Sequence, residues 1–214
     1  DRAGIVPDDG PTHQGINDIA YLSHLPRMIV AAPKDENELR HLLHSALSYS
    51  HPTAIRYPKG KALGVGMDRT LKDIPAGQSE VLKEGQDLLL ALGSMVYPCL
   101  QAAESLEKEG ISLCVVNARF AKPLDRDLIL KRVRKSRVVI TAEEGVIQGG
   151  FGSAVRNLLD REQRFDVRFK AIGIPLEVYP LGKADEIKRM FQLDAEGLKE
   201  QIRAFYAPEH ERKG

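Results

Sequence analysis

Residues 28 to 60 read MIVAAPKDENELRHLLHSALSYSHPTAIRYPKG, and this stretch decides the fold class. The short apolar run from Met28 to Ala32 is typical of a buried strand. Asp35, with Glu38 three residues later, is a variant of the capping box that begins a helix. A second strand is predicted from Thr53 to Tyr57. Strand, helix and strand at this spacing predict a right-handed βαβ unit with parallel strands.

The predicted helix carries apolar side chains at helical spacing, which indicates one apolar face. These residues are Leu39, Leu42, Leu43, Ala46 and Leu47. The segment from Lys61 to Gly85 has weak periodicity and is predicted to be a linker, with a domain boundary near Pro75 to Gly77.

The same alternation of strands and helices continues beyond the linker. Strands are predicted at Leu88 to Leu92, Leu113 to Ala118, Val138 to Ala142 and Val167 to Ile172, with helices between them and two more helices at the end. Repeated β-α units of this length predict an α/β fold with a mostly parallel sheet that is covered on both faces.

Composition excludes several classes of protein. The chain has 214 residues, 43% of them hydrophobic, and a net charge of +1. This near-neutral charge does not indicate a nucleic-acid partner. The longest apolar run, Leu88 to Leu92, is far shorter than the roughly 20 residues that span a membrane. Cys99 and Cys114 lack metal-ligand spacing and are expected to be free thiols in a reducing compartment.

Two loops carry residues suited to chemistry. Asp9 to Gly15, DGPTHQG, offers a carboxylate, a hydroxyl and an imidazole on a chain stiffened by proline. An imidazole can exchange protons near neutral pH, although such a loop can also be a turn whose polar groups satisfy the backbone. Arg56 to Gly60, RYPKG, follows a predicted strand, where ligands of open α/β sheets bind. Lys59 there can bind a phosphate as a point charge, or it can be an ordinary solvated residue.

These motifs resemble those of the 1-deoxy-D-xylulose-5-phosphate synthases. The resemblance rests on DRAG at residues 1–4, DGPTHQG at 9–15, RYPKG at 56–60, NARF at 117–120, Lys122-Pro123, Asp125, Glu143-Glu144 and GGFG at 149–152. It implies the C-terminal part of a pyrimidine-binding domain at residues 1–76 and a transketolase-type C-terminal domain at 77–206. Both domains are expected to have parallel sheets, and residues 207–214 are expected to be a mobile tail.

The resemblance also implies an activity. The family condenses pyruvate with glyceraldehyde 3-phosphate and releases carbon dioxide, using thiamine diphosphate and Mg²⁺, on the route to isoprenoid and thiamine precursors. By this resemblance Arg2 and Lys59 bind the phosphate of the acceptor, while Asp9 and His13 are catalytic and contact the reacting oxygens. The family is expected to be homodimeric and cytoplasmic, or stromal in a plant, with no nucleic-acid or membrane partner.

Several expectations concern what the chain lacks. The chain begins at Asp1 within a loop, so we interpret it as a fragment cut inside a domain. The resemblance implies that the glutamate that protonates the aminopyrimidine, and the domain that binds diphosphate and Mg²⁺, lie upstream of Asp1. The isolated chain is therefore expected to bind no cofactor or metal and to be inactive. Lys59 replaces the usual arginine of the family and Pro7 the usual glycine, which weakens bidentate phosphate binding and fixes one φ angle.

The second domain is expected to act mainly in packing and dimer contact. The glycines of residues 149–152 are interpreted as permitting close backbone packing, although a glycine-led helix can also bind anions. Arg119 and Lys122 are interpreted as structural ion partners. Two alternatives stay open: another thiamine enzyme, such as a transketolase or a 2-oxoacid dehydrogenase β-subunit, and a non-catalytic dimerisation module.

Overall fold

The computed structural model describes residues 2–7, 10–176 and 182–207, and it arranges them as two β-sheets with flanking helices. The strands are β1 Ile29–Ala31, β2 Thr53–Ile55, β3 Glu80–Lys83, β4 Asp87–Ala91, β5 Leu113–Asn117, β6 Phe120–Lys122, β7 Val138–Val146 and β8 Arg168–Ile174. The helices are α1 Asp18–His24, α2 Glu36–Ala46, α3 Val96–Glu107, α4 Arg126–Val133, α5 Phe151–Arg161, α6 Ala184–Met190 and α7 Ala195–Tyr206. We call residues 2–76 the N-terminal unit and residues 77–207 the C-terminal unit.

The small sheet has the strand order β2-β1-β6. β1 and β2 are parallel, with Ile29 opposite Thr53, and α2 connects them, so the predicted βαβ unit is confirmed. The helix begins as expected, because the Asp35 carboxylate accepts the Glu38 N–H. The third strand, β6, comes from the C-terminal unit and is antiparallel to β1. The two units therefore share one sheet.

The large sheet belongs to the C-terminal unit and has the order β3-β5-β4-β7-β8. The strands β5, β4, β7 and β8 are parallel, as the alternating pattern predicts. β3 is an antiparallel edge strand and lies in the segment predicted to be a linker, so that prediction is wrong for residues 80–83. The strand is short, half-buried and flanked by charged residues, so it has no clear hydrophobic period.

The apolar face predicted for α2 is only partly buried. Leu42 is fully buried, whereas Leu43 is 51% exposed and Leu47 is 88% exposed. The buried positions of the helix include the polar residues Glu38, His41 and Ser45. The side of α2 that faces the protein is therefore largely polar, and part of the predicted apolar face lies at the surface.

Apolar packing covers both faces of the large sheet. One cluster lies against α3 and α7, and the other lies against α4 and α5. Cys99 and Cys114 are buried free thiols within these two clusters, which confirms the prediction of unpaired cysteines. No helix in the described parts of the chain is long and apolar enough to cross a membrane. The predicted mobile tail falls almost entirely on residues 208–214, which lie outside the described residues.

Candidate active site

The N-terminal loop folds back on itself beside the carboxyl end of β2. Gly4 and Gly15 exchange two backbone hydrogen bonds of 2.9 Å, and the Ala3 N–H donates to the Tyr57 carbonyl at 2.9 Å. These bonds bring the segments that carry Arg2, His13 and Lys59 to one end of the small sheet. All three residues are exposed. Asp9, the other predicted catalytic residue, lies outside the described residues.

The backbone at Arg2 is unusual and explains a glycine of the loop. Arg2 has a φ of 66°, a left-handed conformation that is uncommon for residues other than glycine. Its carbonyl oxygen would lie 1.8 Å from a Cβ atom at Gly15, so no side chain fits at position 15. The close approach of Arg2 to the end of the DGPTHQG motif therefore depends on this glycine. Strained backbone of this kind is common at functional sites.

Gln14 fixes the loop from within. Its side-chain amide accepts the Val6 N–H at 2.9 Å and donates to the Val6 carbonyl at 2.8 Å. The neighbouring His13 has its Nδ1 atom 3.1 Å from the Thr12 hydroxyl. Sequence reasoning gave Gln14 no role. The available signal was its position next to His13. A glutamine amide can accept from the N–H and donate to the carbonyl of one residue, so it can fix a loop beside such a histidine.

Arg56 connects the strand end to the loop and was also missed from the sequence. It is 7% exposed, and its Nε donates to the Asp18 carboxylate at 2.9 Å. Its Nη2 donates to the carbonyls of Gly15 at 3.4 Å and Glu144 at 3.1 Å. A buried arginine needs several acceptors, and these come from the loop, α1 and β7 together. The position of Arg56 in the sequence, three residues before Lys59, did not indicate that its side chain is buried.

The two adjacent glutamates at the end of β7 have different partners. Glu143 accepts the N–H groups of Phe151 and Gly152 at 2.9 and 2.8 Å and so caps the start of α5. Burial raises the pKa of Glu143 to about 7, and the two backbone N–H groups partly oppose that rise. Glu144 instead accepts the Ile5 N–H of the N-terminal loop at 2.9 Å.

The glycines of residues 149–152 allow close packing, as predicted. A Cβ atom at Gly150 would lie 2.2 Å from the Val146 carbonyl, and one at Gly152 would lie 2.7 Å from the Thr141 hydroxyl. The N-terminus of α5 is already occupied by an acidic group of the chain itself, the Glu143 carboxyl.

The NARF motif joins the two units through a charged network. Arg119 donates to Glu38 at 2.7 Å and to Glu80 at 2.8 Å, and Asn117 donates to Glu38 at 2.8 Å. The prediction that Arg119 is a structural ion partner is confirmed. For Lys122 the prediction of an ion pair is wrong. Its contacts are structural, but its ammonium donates to the backbone carbonyls of Ser23 and Leu25.

The fold and these motifs define the class of protein. The sequence model of the transketolase C-terminal domain matches residues 77–198, and that of the transketolase pyrimidine-binding domain matches residues 1–63. The chain belongs to the transketolase family. A split-gene transketolase, solved as an inactive β4 tetramer, superimposes with a TM-score of 0.77 at 32% identity, covering 90% of this chain and 61% of that one.

Within that family the chain matches the 1-deoxy-D-xylulose-5-phosphate synthases. Synthase 1 of Geobacter metallireducens is 52% identical over 96% of this chain and 33% of its own length. Synthase 2 of Geobacter sulfurreducens is 50% identical over 97% of this chain and 33% of its own length. The chain therefore spans about a third of the length of these curated relatives.

Proposed function

We propose that this chain is the C-terminal part of a 1-deoxy-D-xylulose-5-phosphate synthase, which joins pyruvate to glyceraldehyde 3-phosphate with loss of carbon dioxide. The observation that carries this proposal is the backbone pairing of residues 3–4 with Gly15 and Tyr57. That pairing supports the proposal because it brings the backbone segments that carry Arg2, His13 and Lys59 to the carboxyl end of β2. Ligands of open α/β sheets bind at such strand ends.

Arg2 and Lys59 bind the phosphate of the acceptor. The hydrogen bond from the Ala3 N–H to the Tyr57 carbonyl links the segment of Arg2 to the segment of Lys59, just after the carboxyl end of β2. A triose phosphate carries its negative charge at one end, so two neighbouring cations orient its aldehyde toward the rest of the site. Arg2 provides the planar fork that matches a phosphate, and Lys59 provides a point charge.

His13 exchanges a proton with the acceptor oxygen as the new carbon–carbon bond forms. Its ring is exposed, so a substrate can reach it, and Gln14 fixes the backbone beside it. A positioned imidazole is suited to general acid–base chemistry at neutral pH. Asp9 is assigned the second catalytic role, on the resemblance of its motif alone.

The cofactor needs more than the residues described. Thiamine diphosphate supplies the electron sink for decarboxylation, and its diphosphate is held through Mg²⁺. Within residues 2–7, 10–176 and 182–207, no three His, Cys, Asp or Glu side chains come together as metal ligands. On the family resemblance, the metal and the diphosphate are assigned to other parts of the enzyme, and the chain alone is proposed to be inactive.

The assembled enzyme is proposed to be a Mg²⁺-dependent cytoplasmic homodimer. The chain contributes the acceptor end of the site, and the rest of the protein contributes the cofactor end. The split-gene transketolase, solved as a β4 tetramer, is a related chain that associates with copies of itself, which supports self-association.

A complementation assay tests this proposal. The chain is co-produced with the N-terminal two-thirds of the Geobacter metallireducens synthase, and product formation from pyruvate and glyceraldehyde 3-phosphate is measured. We expect activity from the pair and none from either part. The relative's own C-terminal third serves as the positive control. Turnover by the isolated chain, or an inactive pair beside an active control, would falsify the proposal.

A second assay tests the phosphate site. Replacing both cations, Arg2→Ala with Lys59→Ala, should raise KM for glyceraldehyde 3-phosphate by about a hundredfold, because two charge-assisted contacts are lost. KM for unphosphorylated glyceraldehyde should change by less than about twofold, since it makes no phosphate contact. Equal losses with both acceptors would contradict the assignment of Arg2 and Lys59 to the phosphate.

A further inference from the structure

Glu144 belongs to the C-terminal unit, yet its side chain contacts the loop that carries the predicted site residues. Its Oε1 atom accepts the Ile5 N–H at 2.9 Å. Its Oε2 atom accepts the Ser94 hydroxyl at 2.6 Å and lies 3.0 Å from the Lys188 ammonium. The residue is 1% exposed. A buried carboxylate with three donors is fully satisfied, and here one of those donors belongs to the N-terminal loop.

The conformation of Gly4 is fitted to this carboxylate. A Cβ atom at Gly4 would lie 2.6 to 2.8 Å from three side-chain atoms of Glu144. Gly4 also has a φ of 77°, which favours glycine. The last residue of the DRAG motif is thus a glycine because Glu144 occupies the space beside it. The contact connects Arg2, two residues earlier, to the C-terminal unit.

Apolar packing attaches the same loop at two further points. Ile5 and Ile16 are each 3% exposed and belong to an apolar cluster formed mostly by the C-terminal unit. The Val146 N–H, at the end of β7, donates to the Ile16 carbonyl at 2.9 Å. The end of β7 therefore contacts both ends of the loop that carries His13.

We propose that Glu144 is a positioning residue of the acceptor site. It fixes residues 4 and 5, and through them the backbone of Arg2 against Gly15 and Tyr57. The C-terminal unit thereby takes part in acceptor binding without touching the acceptor. The catalytic consequence rests on the function proposed above, whereas the attachment of the loop rests on the contacts of Glu144 alone.

Glu143 is the matched control for Glu144. It is the preceding residue of the same strand, it is also 1% exposed, and it also accepts backbone N–H groups. Its two N–H donors belong to α5 in its own unit. Glu143→Gln therefore removes a buried carboxylate at the same depth without removing a hydrogen bond to the N-terminal loop.

The first measurement is amide hydrogen exchange of the chain. In Glu144→Gln only one acceptor oxygen remains for three donors, so the peptide covering residues 2–7 should exchange about tenfold faster. In Glu143→Gln the acceleration should appear at residues 151–152 and not at residues 2–7. Equal exchange of residues 2–7 in Glu144→Gln and the unsubstituted chain would overturn the proposal.

The second measurement is steady-state kinetics of the complemented enzyme. Glu144→Gln should raise KM for glyceraldehyde 3-phosphate about tenfold and leave KM for pyruvate within about twofold. Glu143→Gln should change neither KM by more than about twofold. A loosened loop with an unchanged acceptor KM would reduce Glu144 to a structural role and overturn the proposal. If the unsubstituted pair makes no product, the proposed function has failed, and the exchange contrast alone decides whether Glu144 fixes the loop.

Discussion

The two units of this chain are held together by different kinds of contact. The C-terminal unit packs extensive apolar clusters on both faces of its sheet. The N-terminal unit has one small cluster, Ile29, Ala31, Leu42, Ile74 and Phe120, and Phe120 comes from the C-terminal unit. Its stability therefore depends on polar contacts and on its neighbour, because so little apolar area is its own.

In the N-terminal unit, hydrogen bonds between α2 and the segment of residues 63–74 replace apolar packing. The Glu36 carboxylate accepts the N–H groups of residues 63, 64 and 65. Farther along the helix, His41 accepts the Lys72 N–H and Ser45 accepts the Ile74 N–H. Because Lys72 donates to Nδ1 of His41, the Nε2 atom carries the proton that is donated to Asp68 at 2.8 Å. The helix thus holds an irregular segment through directional hydrogen bonds.

The largest effect is expected in the apolar unit. Phe151 is fully buried at the start of α5. Phe151→Ala should lower the free energy of unfolding by about 4 kcal/mol, since it removes a large buried ring and leaves a cavity. Urea denaturation followed by circular dichroism measures this. Phe165→Ala is the control, because that ring is 68% exposed and its loss should cost less than about 0.5 kcal/mol. Similar losses in the two variants would contradict the view of an apolar-packed C-terminal unit.

Glu143 is a buried ionisable residue of that unit and should make stability depend on pH. Its pKa is raised by burial from an ordinary value near 4.5 to about 7, so the folded state holds its proton more tightly than the unfolded state. The stabilisation from this proton is complete below about pH 4.5 and is lost as pH rises to about 7. As the pH rises from 5 to 8, the contribution of Glu143 to the free energy of unfolding should fall by about 3 kcal/mol.

Glu143→Gln cannot titrate and should lack this component of the pH dependence. The measurement is urea denaturation of both proteins at pH 5 and pH 8. The stability of the unsubstituted protein relative to the variant should fall by about 3 kcal/mol between the two pH values. A difference that stays constant with pH would show that Glu143 titrates normally in the folded state.

The sequence predicted the parallel strands and their helices because burial on both faces leaves long apolar runs, as in Leu88 to Leu92. It did not predict β3 or β6, whose three or four residues are defined by pairing with distant strands. It indicated one apolar face on α2, although most of the fully buried positions of that helix are polar. For the site, the motifs indicated Arg2, His13 and Lys59. The supporting contacts of Gln14, Arg56 and Glu144 join segments up to 139 residues apart, which local spacing cannot reveal.

The smallest effect expected concerns the charged network between the units. Arg119 is 14% exposed at its side chain and pairs with Glu38, which is 2% exposed. Arg119→Met should cost about 2 kcal/mol, less than the loss of an isolated buried pair, because Lys34 and Asn117 still contact Glu38. Arg126→Met removes a comparable contact to Glu162, but that arginine is 56% exposed, so its loss should cost much less stability than the loss of Arg119. Urea denaturation of both variants at low and high salt separates the two cases, since the exposed pair is screened and the buried one is screened much less. If both variants lost the same free energy of unfolding, and both losses shrank with salt, the network of Arg119 would behave as a surface ion pair. Contacts other than this polar network would then hold the N-terminal unit to the C-terminal unit.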